Sequence, residues 1–264
     1  MYQLSNLLVE FGISRMFRRY FPLLLMFSSV AMSSGVSGAA PAATESNQRH
    51  ECVVLLHGLA RSHRSMTPLE ESLAAEGYHV INSEYNSLEA PIETLAPRAI
   101  DSAIDQCPPK SNTIHFVTHS LGGILVRQYL QQQPTTPIGR VVMLGPPNQG
   151  SELVDRFVTV PGFNKLNGFA GKQLGTGDNS KPNTLNKANF ELGIIAGSKS
   201  INPILSLVLP GDDDGKVSVE STKLNGMKAH ITLPTTHTFM MRNSVVIAQV
   251  SHFLKHGKFD TDTQ

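Results

Sequence analysis

The sequence has no tryptophan, and phenylalanine and tyrosine bring its aromatic content to only 6% of 264 residues. So few aromatics do not indicate a surface on which sugars or nucleic-acid bases stack. The formal net charge is +1, and no basic stripe is interleaved with aromatics, so nothing indicates a nucleic-acid partner. Cysteine is almost absent as well, and the two that occur, Cys52 and Cys107, allow a single disulfide pairing.

The rest of the composition is that of an ordinary globular chain. Hydrophobic residues make up 40% of the sequence and charged residues 16%. A chain of this length and composition is expected to bury a sizeable core in one α/β domain.

The N-terminal segment has the pattern of an export signal. Arginines at positions 15, 18 and 19 precede an apolar run, 21–32, that is too short to span a bilayer comfortably. Small residues at 37–39 then offer a cleavage site. We therefore predict a signal peptide over 1–39, a linker over 40–50, and export to the periplasm or out of the cell, an oxidising compartment. An uncleaved anchor and a translation start at Met16 are alternatives.

Short apolar runs alternate with helical patterns along the rest of the chain. We predict strands at 52–56, 78–81, 114–117, 139–144, 192–197 and 229–233. Strands that are apolar throughout are typical of a parallel sheet covered on both faces, here within a domain over 51–260. Residues 151–189 lose their periodicity after Val160, and so long an irregular segment predicts a lid-like excursion over the active site.

Three helix boundaries also follow from local signals. Thr67 and Glu70 form a capping-box pattern with proline at the first helical position, which predicts that Thr67 caps a helix over 67–76. Pro97 predicts a break in the helix over 91–106. The last helix is expected to run from 239 to 256.

One stretch combines a buried strand, a serine and a helix with no loop between them. Apolar residues before His119 predict the strand, and the apolar period after Ser120 predicts a helix over 121–130. This setting is typical of a nucleophile elbow, in which a tight turn exposes the serine hydroxyl. Gly122 lets strand and helix approach, although Thr118 stands where the usual pattern has glycine. Ser120 as a simple helix N-cap is the alternative.

Reactive side chains follow four of the predicted strands. His57 ends the first, Ser120 the third, an acidic cluster at 212–214 lies beyond the fifth, and His237 follows the last. Function collects at the carboxyl ends of strands in an open parallel sheet, so we expect these groups to converge there. The chain order Ser, then Asp, then His belongs to one triad-bearing fold.

Together these motifs resemble those of the α/β-hydrolases, and more narrowly their bacterial esterase and lipase branch. The resemblance rests on His-Gly-Leu at 57–59, Thr-His-Ser-Leu-Gly-Gly at 118–123, Gly-Pro-Pro-Asn-Gln-Gly at 145–150 and Asp-Gly-Lys-Val-Ser at 214–218. It extends from Cys52 to the final helix but leaves 151–189 unmatched. It implies a mostly parallel, doubly covered sheet with a lid-like insertion, 151–189, after the sixth strand of that fold.

The resemblance also implies roles for individual residues. Ser120 is expected to be the nucleophile, His237 its base and Asp214 the acid that orients the base, while the backbone N–H groups of Leu59 and Leu121 form the oxyanion hole. Cys52 opens the first predicted strand, and Cys107 precedes the strand that leads to Ser120. These two strands are neighbours in this fold. A disulfide is therefore expected at the end of the sheet away from the site.

Several site assignments have alternatives. Asp212 or Asp213 is an alternative triad acid, and His63 is the alternative base. The acidic cluster is alternatively a solvated turn or a calcium loop, although its spacing fits no EF-hand.

The sequence thus predicts an exported serine hydrolase that cleaves carboxylic esters of acyl or lipid type through an acyl-enzyme. We expect no cofactor, no metal and no nucleic-acid partner. The substrate is a small-molecule or lipid ester, and any contact with a membrane surface is expected through the lid region, 151–189. The alternatives are an acyltransferase that uses the same acyl-enzyme, and an inactive hydrolase-fold protein that only binds.

Overall fold

The computed structural model describes residues 50–134, 136 and 138–261, which contain a six-stranded sheet. The strands are β1 (Glu51–Leu56), β2 (His79–Asn82), β3 (Thr113–His119), β4 (Val141–Leu144), β5 (Leu192–Gly197) and β6 (Ala229–Leu233). They lie in the order β2-β1-β3-β4-β5-β6, and every neighbouring pair is parallel. The predicted parallel sheet of an α/β-hydrolase is therefore confirmed.

Helices connect these strands. The four longer ones are α1 (Thr67–Ala75), α2 (Ile92–Ile104), α3 (Leu121–Gln132) and α8 (Ser244–His256). Four others lie in the connections after β4 and β5: α4 (Glu152–Phe157), α5 (Phe163–Lys172), α6 (Lys181–Thr184) and α7 (Pro203–Ser206).

Both faces of the sheet are covered, which explains why the strands are apolar throughout. Successive strand residues point to opposite faces. Val54 accordingly packs in the cluster that contains residues of α2 and α3, whereas Val53 packs with residues of α1 and α8. Burying each such side chain stabilises the fold by roughly 1.5–3 kcal/mol. Because helices pack on both faces, the strands are held in place, and so are the strand ends that carry the candidate site residues.

The disulfide prediction is confirmed. Cys52 and Cys107 are bonded, with their Cα atoms 5.9 Å apart. Cys52 lies near the amino end of β1 and Cys107 lies between α2 and β3. The crosslink is thus at the end of the sheet opposite to the one that Ser120 follows.

Three local predictions are wrong. Thr67 is the first residue of α1 rather than its cap, because a 3-10 turn (His63–Met66) leads directly into the helix and the Arg64 carbonyl accepts the Thr67 N–H. Pro97 lies inside α2 without ending it. Buried residues on either side of Pro97 hold the helix against the core. The last helix begins at Ser244, since the Asn243 side chain caps it.

The segment 151–189 forms α4, α5 and α6 between β4 and β5. No helix within the described ranges is both long and apolar enough to cross a membrane. The predicted signal peptide, 1–39, and all but the last residue of the linker, 40–50, lie outside the residues that the structure describes.

Candidate active site

Ser120 occupies a strained turn between β3 and α3. Its φ is 53° and its ψ is −120°, a conformation that residues other than glycine rarely adopt. Its N–H donates to Leu144 O at 2.9 Å, which fixes the backbone, and its side chain makes no capping hydrogen bond. A Cβ at Gly122 would lie 2.6 Å from Leu56 O, so glycine is required for α3 to approach β1. The turn presents the Ser120 hydroxyl instead of using it as a helix cap.

His237 and Asp214 are joined at 2.7 Å between Nδ1 and Oδ2. The other carboxylate oxygen, Oδ1, accepts the N–H groups of Lys216 at 3.0 Å and Val217 at 2.8 Å. The His237 N–H in turn donates to Asp214 O at 2.9 Å. Both side chains are almost completely buried. The backbone therefore holds the carboxylate in place, and the carboxylate accepts the Nδ1 proton and leaves the His237 Nε2 lone pair free.

The other two acids of the cluster have different environments. Asp213 is buried, and its Oδ1 accepts hydrogen bonds from the Gly215 N–H at 2.6 Å and the Ser206 hydroxyl at 2.9 Å. Asp212 is exposed. Of the three, Asp214 is the acid whose carboxylate contacts the His237 ring.

The loop after β1 carries one of the two predicted oxyanion donors, Leu59. The His57 ring stacks on Tyr85 with centroids 4.0 Å apart, the Tyr85 hydroxyl donates to His57 O, and the Ala60 N–H donates to the Ser87 hydroxyl at 2.9 Å. Within the described residues, no hydrogen bond from the Leu59 N–H is made. The loop is fixed from both sides while this donor stays available.

The second predicted donor is the backbone N–H of Leu121, the first residue of α3. An N–H at this position has no acceptor within its own helix. The positive end of the helix macrodipole also lies here, which favours a negative charge next to Ser120. The oxyanion role of Leu121 stays a prediction from the sequence.

His119 contributes a contact that the sequence did not indicate. Its Nε2 donates to His237 O at 2.9 Å, and the two rings are 4.7 Å apart. Burial lowers the pKa of His119 well below its usual 6.5, and the nearby His237 imidazole lowers it further. His119 is thus a neutral ring that holds the backbone of His237 in place. Its position next to Ser120 was visible in the sequence, but its partner, 118 residues away, was not.

A cavity of ≈330 Å³ brings most of these groups together. Ser120, His119, His237 and Leu59 line it. Its apolar wall includes Leu153, Val154, Phe157, Phe163, Leu174 and Leu205. The first five of these side chains come from 151–189, and Leu205 comes from α7. The sequence indicated the first segment as an excursion near the site but gave no signal for α7.

Two cations, Arg61 and Lys216, also line the cavity. Sequence reasoning assigned them no function, since single basic residues in loops carry no pattern. His63, the alternative base, does not line the cavity, and its Nδ1 lies 3.5 Å from Glu84 Oε1.

Comparison with solved structures finds the same fold in several lipolytic enzymes. The mature lipase BlEst2 of Bacillus licheniformis is similar with a TM-score of 0.56 and 20% identity over 76% of this chain and 91% of the other. Lipase B of Aspergillus fumigatus gives a TM-score of 0.60 and 17% identity over 83% of this chain and 55% of the other. Phospholipase PlaB of Legionella pneumophila gives a TM-score of 0.58 and 17% identity over 77% of this chain and 57% of the other.

Sequence comparison identifies the family. Comparison with curated proteins gives no match. The sequence model of the palmitoyl protein thioesterase family, in contrast, matches residues 52–187, from β1 through the elbow and past α6. Since this match covers just over half of the chain, the protein belongs to the palmitoyl protein thioesterase family, and with it to the carboxylic ester hydrolases of the α/β-hydrolase superfamily.

Proposed function

We propose that this protein is an exported serine hydrolase that cleaves acyl esters or thioesters through an acyl-enzyme. Ser120 is the nucleophile, His237 the general base and Asp214 the acid that orients it. The backbone N–H groups of Leu59 and Leu121 stabilise the oxyanion. The observation that carries the proposal is the 2.7 Å contact of Asp214 with the base, whose ring lines the same cavity as the strained serine.

The first half of the reaction forms the acyl-enzyme. A serine hydroxyl is too weakly acidic to attack an ester unaided, so His237 Nε2 takes the proton as Ser120 Oγ bonds to the acyl carbon. Asp214 stabilises the imidazolium that results. Negative charge develops on the carbonyl oxygen, where each backbone donor is worth about 2.7–4 kcal/mol in the transition state. The bond to the leaving oxygen or sulfur then breaks, and the leaving group takes the proton from His237.

The second half releases the acid. Water takes the place of the leaving group, gives a proton to His237 and adds to the acyl carbon. Collapse of the second tetrahedral intermediate returns that proton to Ser120 and frees the carboxylic acid. The cycle uses only residues already at the site.

The apolar lining of the cavity favours a substrate with an apolar acyl group. That lining comes from α4, α5, Leu174 and α7. α5 and the residue that follows α7 also carry exposed apolar side chains, which we call the apolar rim: Leu166 at 70%, Phe169 at 58% and Leu207 at 86% exposed. We propose that 151–189 acts as the lid-like segment and that this apolar rim is where contact with a membrane or lipid surface is made. The disulfide fits the proposed export to an oxidising compartment.

A fluorophosphonate probe tests the central claim. The folded protein should be labelled covalently at one serine and should hydrolyse a chromogenic ester series from short to long acyl chains. Ser120→Ala should abolish both, while Ser65→Ala, a change in the 3-10 turn outside the cavity, should leave both intact.

The outcomes separate the remaining functions. Labelling without hydrolysis, together with acyl transfer to an added alcohol, indicates the acyltransferase. If the folded protein is neither labelled nor active on any ester, the proposed function is wrong and the chain is a binding protein.

A further inference from the structure

The cavity carries positive charge that the proposed chemistry does not use. Arg61 and Lys216 line it, and no aspartate or glutamate among the described residues does. The two cations follow the catalytic loops directly. Arg61 comes two residues after Leu59, and Lys216 comes two residues after Asp214. Since consecutive Cα atoms are 3.8 Å apart, both backbones lie within ~8 Å of a proposed site residue.

The backbones that present these cations are fixed. The Arg61 N–H donates to Gly58 O at 3.3 Å, closing a turn. The Lys216 N–H donates to the Asp214 carboxylate at 3.0 Å, and its carbonyl accepts the Ser151 hydroxyl at 3.0 Å. Backbone contacts of the loop after β1 and of Asp214 therefore fix where the side chains of Arg61 and Lys216 begin, at the cavity.

Neither side chain has a partner within the described part of the chain. No hydrogen bond or ion pair is made there by the Arg61 guanidinium or the Lys216 ammonium. Packing around Lys216 lowers its pKa below the usual 10.5, and repulsion by Arg61 lowers it further against the opposing effect of Asp214. Both residues are exposed, so a ligand in the cavity can reach them. Like charges at one cavity repel each other, and a bound anion relieves that repulsion.

We propose that Arg61 and Lys216 recognise a negative charge on the alcohol or thiol portion of the substrate. The proposal rests on the function proposed above and adds a substrate class, an acyl ester or thioester whose leaving group bears a phosphate or carboxylate. In this proposal the acyl chain lies against Phe157, Phe163 and Leu174, and the charged leaving group contacts Arg61 and Lys216, which line the same cavity.

The reaction balances with water alone. The bond between the acyl carbon and the leaving oxygen or sulfur breaks, and the leaving atom takes the proton from His237. Water then releases the acyl group from Ser120. The products are a carboxylic acid and an alcohol or thiol that keeps its anionic group.

The test compares a charged ester with a neutral one of the same shape. The pair is 3-octanoyloxy-4-nitrobenzoate and its carboxamide, and the measured quantity is the ratio of their kcat/KM values. Comparing this ratio between variants removes the intrinsic reactivity of each ester. Arg61→Gln and Lys216→Gln are each expected to lower the preference for the anion about 5-fold, through KM, and the double variant roughly 20-fold. Salt at about 1 M should lower the wild-type ratio in the same direction.

Matched controls are Arg64→Gln and Lys199→Gln. Both are exposed cations near the same two loops that do not line the cavity, and both should leave the ratio unchanged. The proposal is overturned if the double variant keeps the wild-type ratio. It is also overturned if both esters slow equally, because the cations then act on the oxyanion that every substrate forms.

A binding measurement tests the anion site separately from catalysis. Octyl phosphate should raise the melting temperature of the wild type more than octanamide does, and the double variant should lose this difference. If the difference is present but fluorophosphonate labelling fails, the anion site stands and the proposed hydrolase function fails. If it is absent from an active enzyme, the anion site is wrong.

Two further substrates distinguish the source of the phosphate. An acylglycerol phosphate represents a lipid and an acyl-coenzyme A represents a nucleotide thioester. Each is compared with a neutral counterpart, a monoacylglycerol and an acyl-N-acetylcysteamine. The pair with the larger preference identifies the source, and no preference in either pair overturns the proposal.

Discussion

At the scale of single residues, the Asp214 carboxylate is engaged at both oxygens. One oxygen contacts His237, and the other accepts two backbone N–H groups. A side chain held in this way cannot rotate away from the imidazole, so its identity decides which ring nitrogen of His237 carries the proton.

Asp214→Asn should lower kcat by on the order of 10³–10⁴-fold, because the amide favours the wrong tautomer of His237. Steady-state kinetics on a chromogenic ester measures the loss, and circular dichroism checks the fold. Asp212→Asn, at the exposed neighbour, should retain wild-type turnover. If Asp214→Asn keeps wild-type activity and Asp213→Asn loses it, the triad acid is Asp213 and the assignment to Asp214 is wrong.

Single residues also show which features of the candidate site could be predicted from the sequence. The tight turn at Ser120 was predictable because the elbow is a local pattern, and the motifs that resemble the family indicated the pairing of Asp214 with His237. The contact of His119 with His237 O and the position of Lys216 beside Arg61 were not predictable. Both depend on the order in which the strands lie in the sheet, which no local pattern records.

At the scale of elements, the strands were predicted better than the connections. β5 and β6 have the predicted bounds, because a buried parallel strand is apolar throughout. The start of α1 was wrong, since the 3-10 turn before it supplies a backbone acceptor in place of the Thr67 side chain. α7 was missed because it has only 4 residues, too few to show an apolar period.

The disulfide ties β1 to the connection after α2 across 55 residues. Removing it with Cys52→Ala and Cys107→Ala should lower the free energy of unfolding by about 4 kcal/mol in the chain-entropy account. Urea denaturation of the two proteins measures the difference. Turnover at low temperature should not change, because the crosslink lies at the other end of the sheet from Ser120. Equal unfolding midpoints would show that the crosslink does not constrain the unfolded chain.

At the scale of the whole molecule, the fold holds histidines in a neutral state. Burial lowers the pKa of His57 and, more strongly, of His119 below 6.5. The unfolded chain binds protons at these positions below about pH 6.5, whereas the folded chain does not. Acid therefore favours the unfolded state.

The free energy of unfolding should consequently fall as the pH drops from 6.5 towards 5, by up to about 1.4 kcal/mol per pH unit for His119 alone. Chemical denaturation at a series of pH values measures this slope. His119→Gln retains a donor that can reach His237 O but has no proton to bind, so its slope should be smaller. His79→Gln, at an exposed position, serves as the control and should keep the wild-type slope. A stability that stays constant over this range contradicts the neutral assignment.

The residues proposed for catalysis lie at the ends of β1, β3 and β6 and in the connection after β5. No contiguous fragment shorter than almost the entire described chain contains them all. A truncated chain or a partly folded intermediate, even a compact one, should therefore be inactive. The rate at which hydrolysis recovers during refolding therefore reports when these strand ends come together. In the proposed export pathway, a chain that is exported unfolded becomes active only after it folds at its destination.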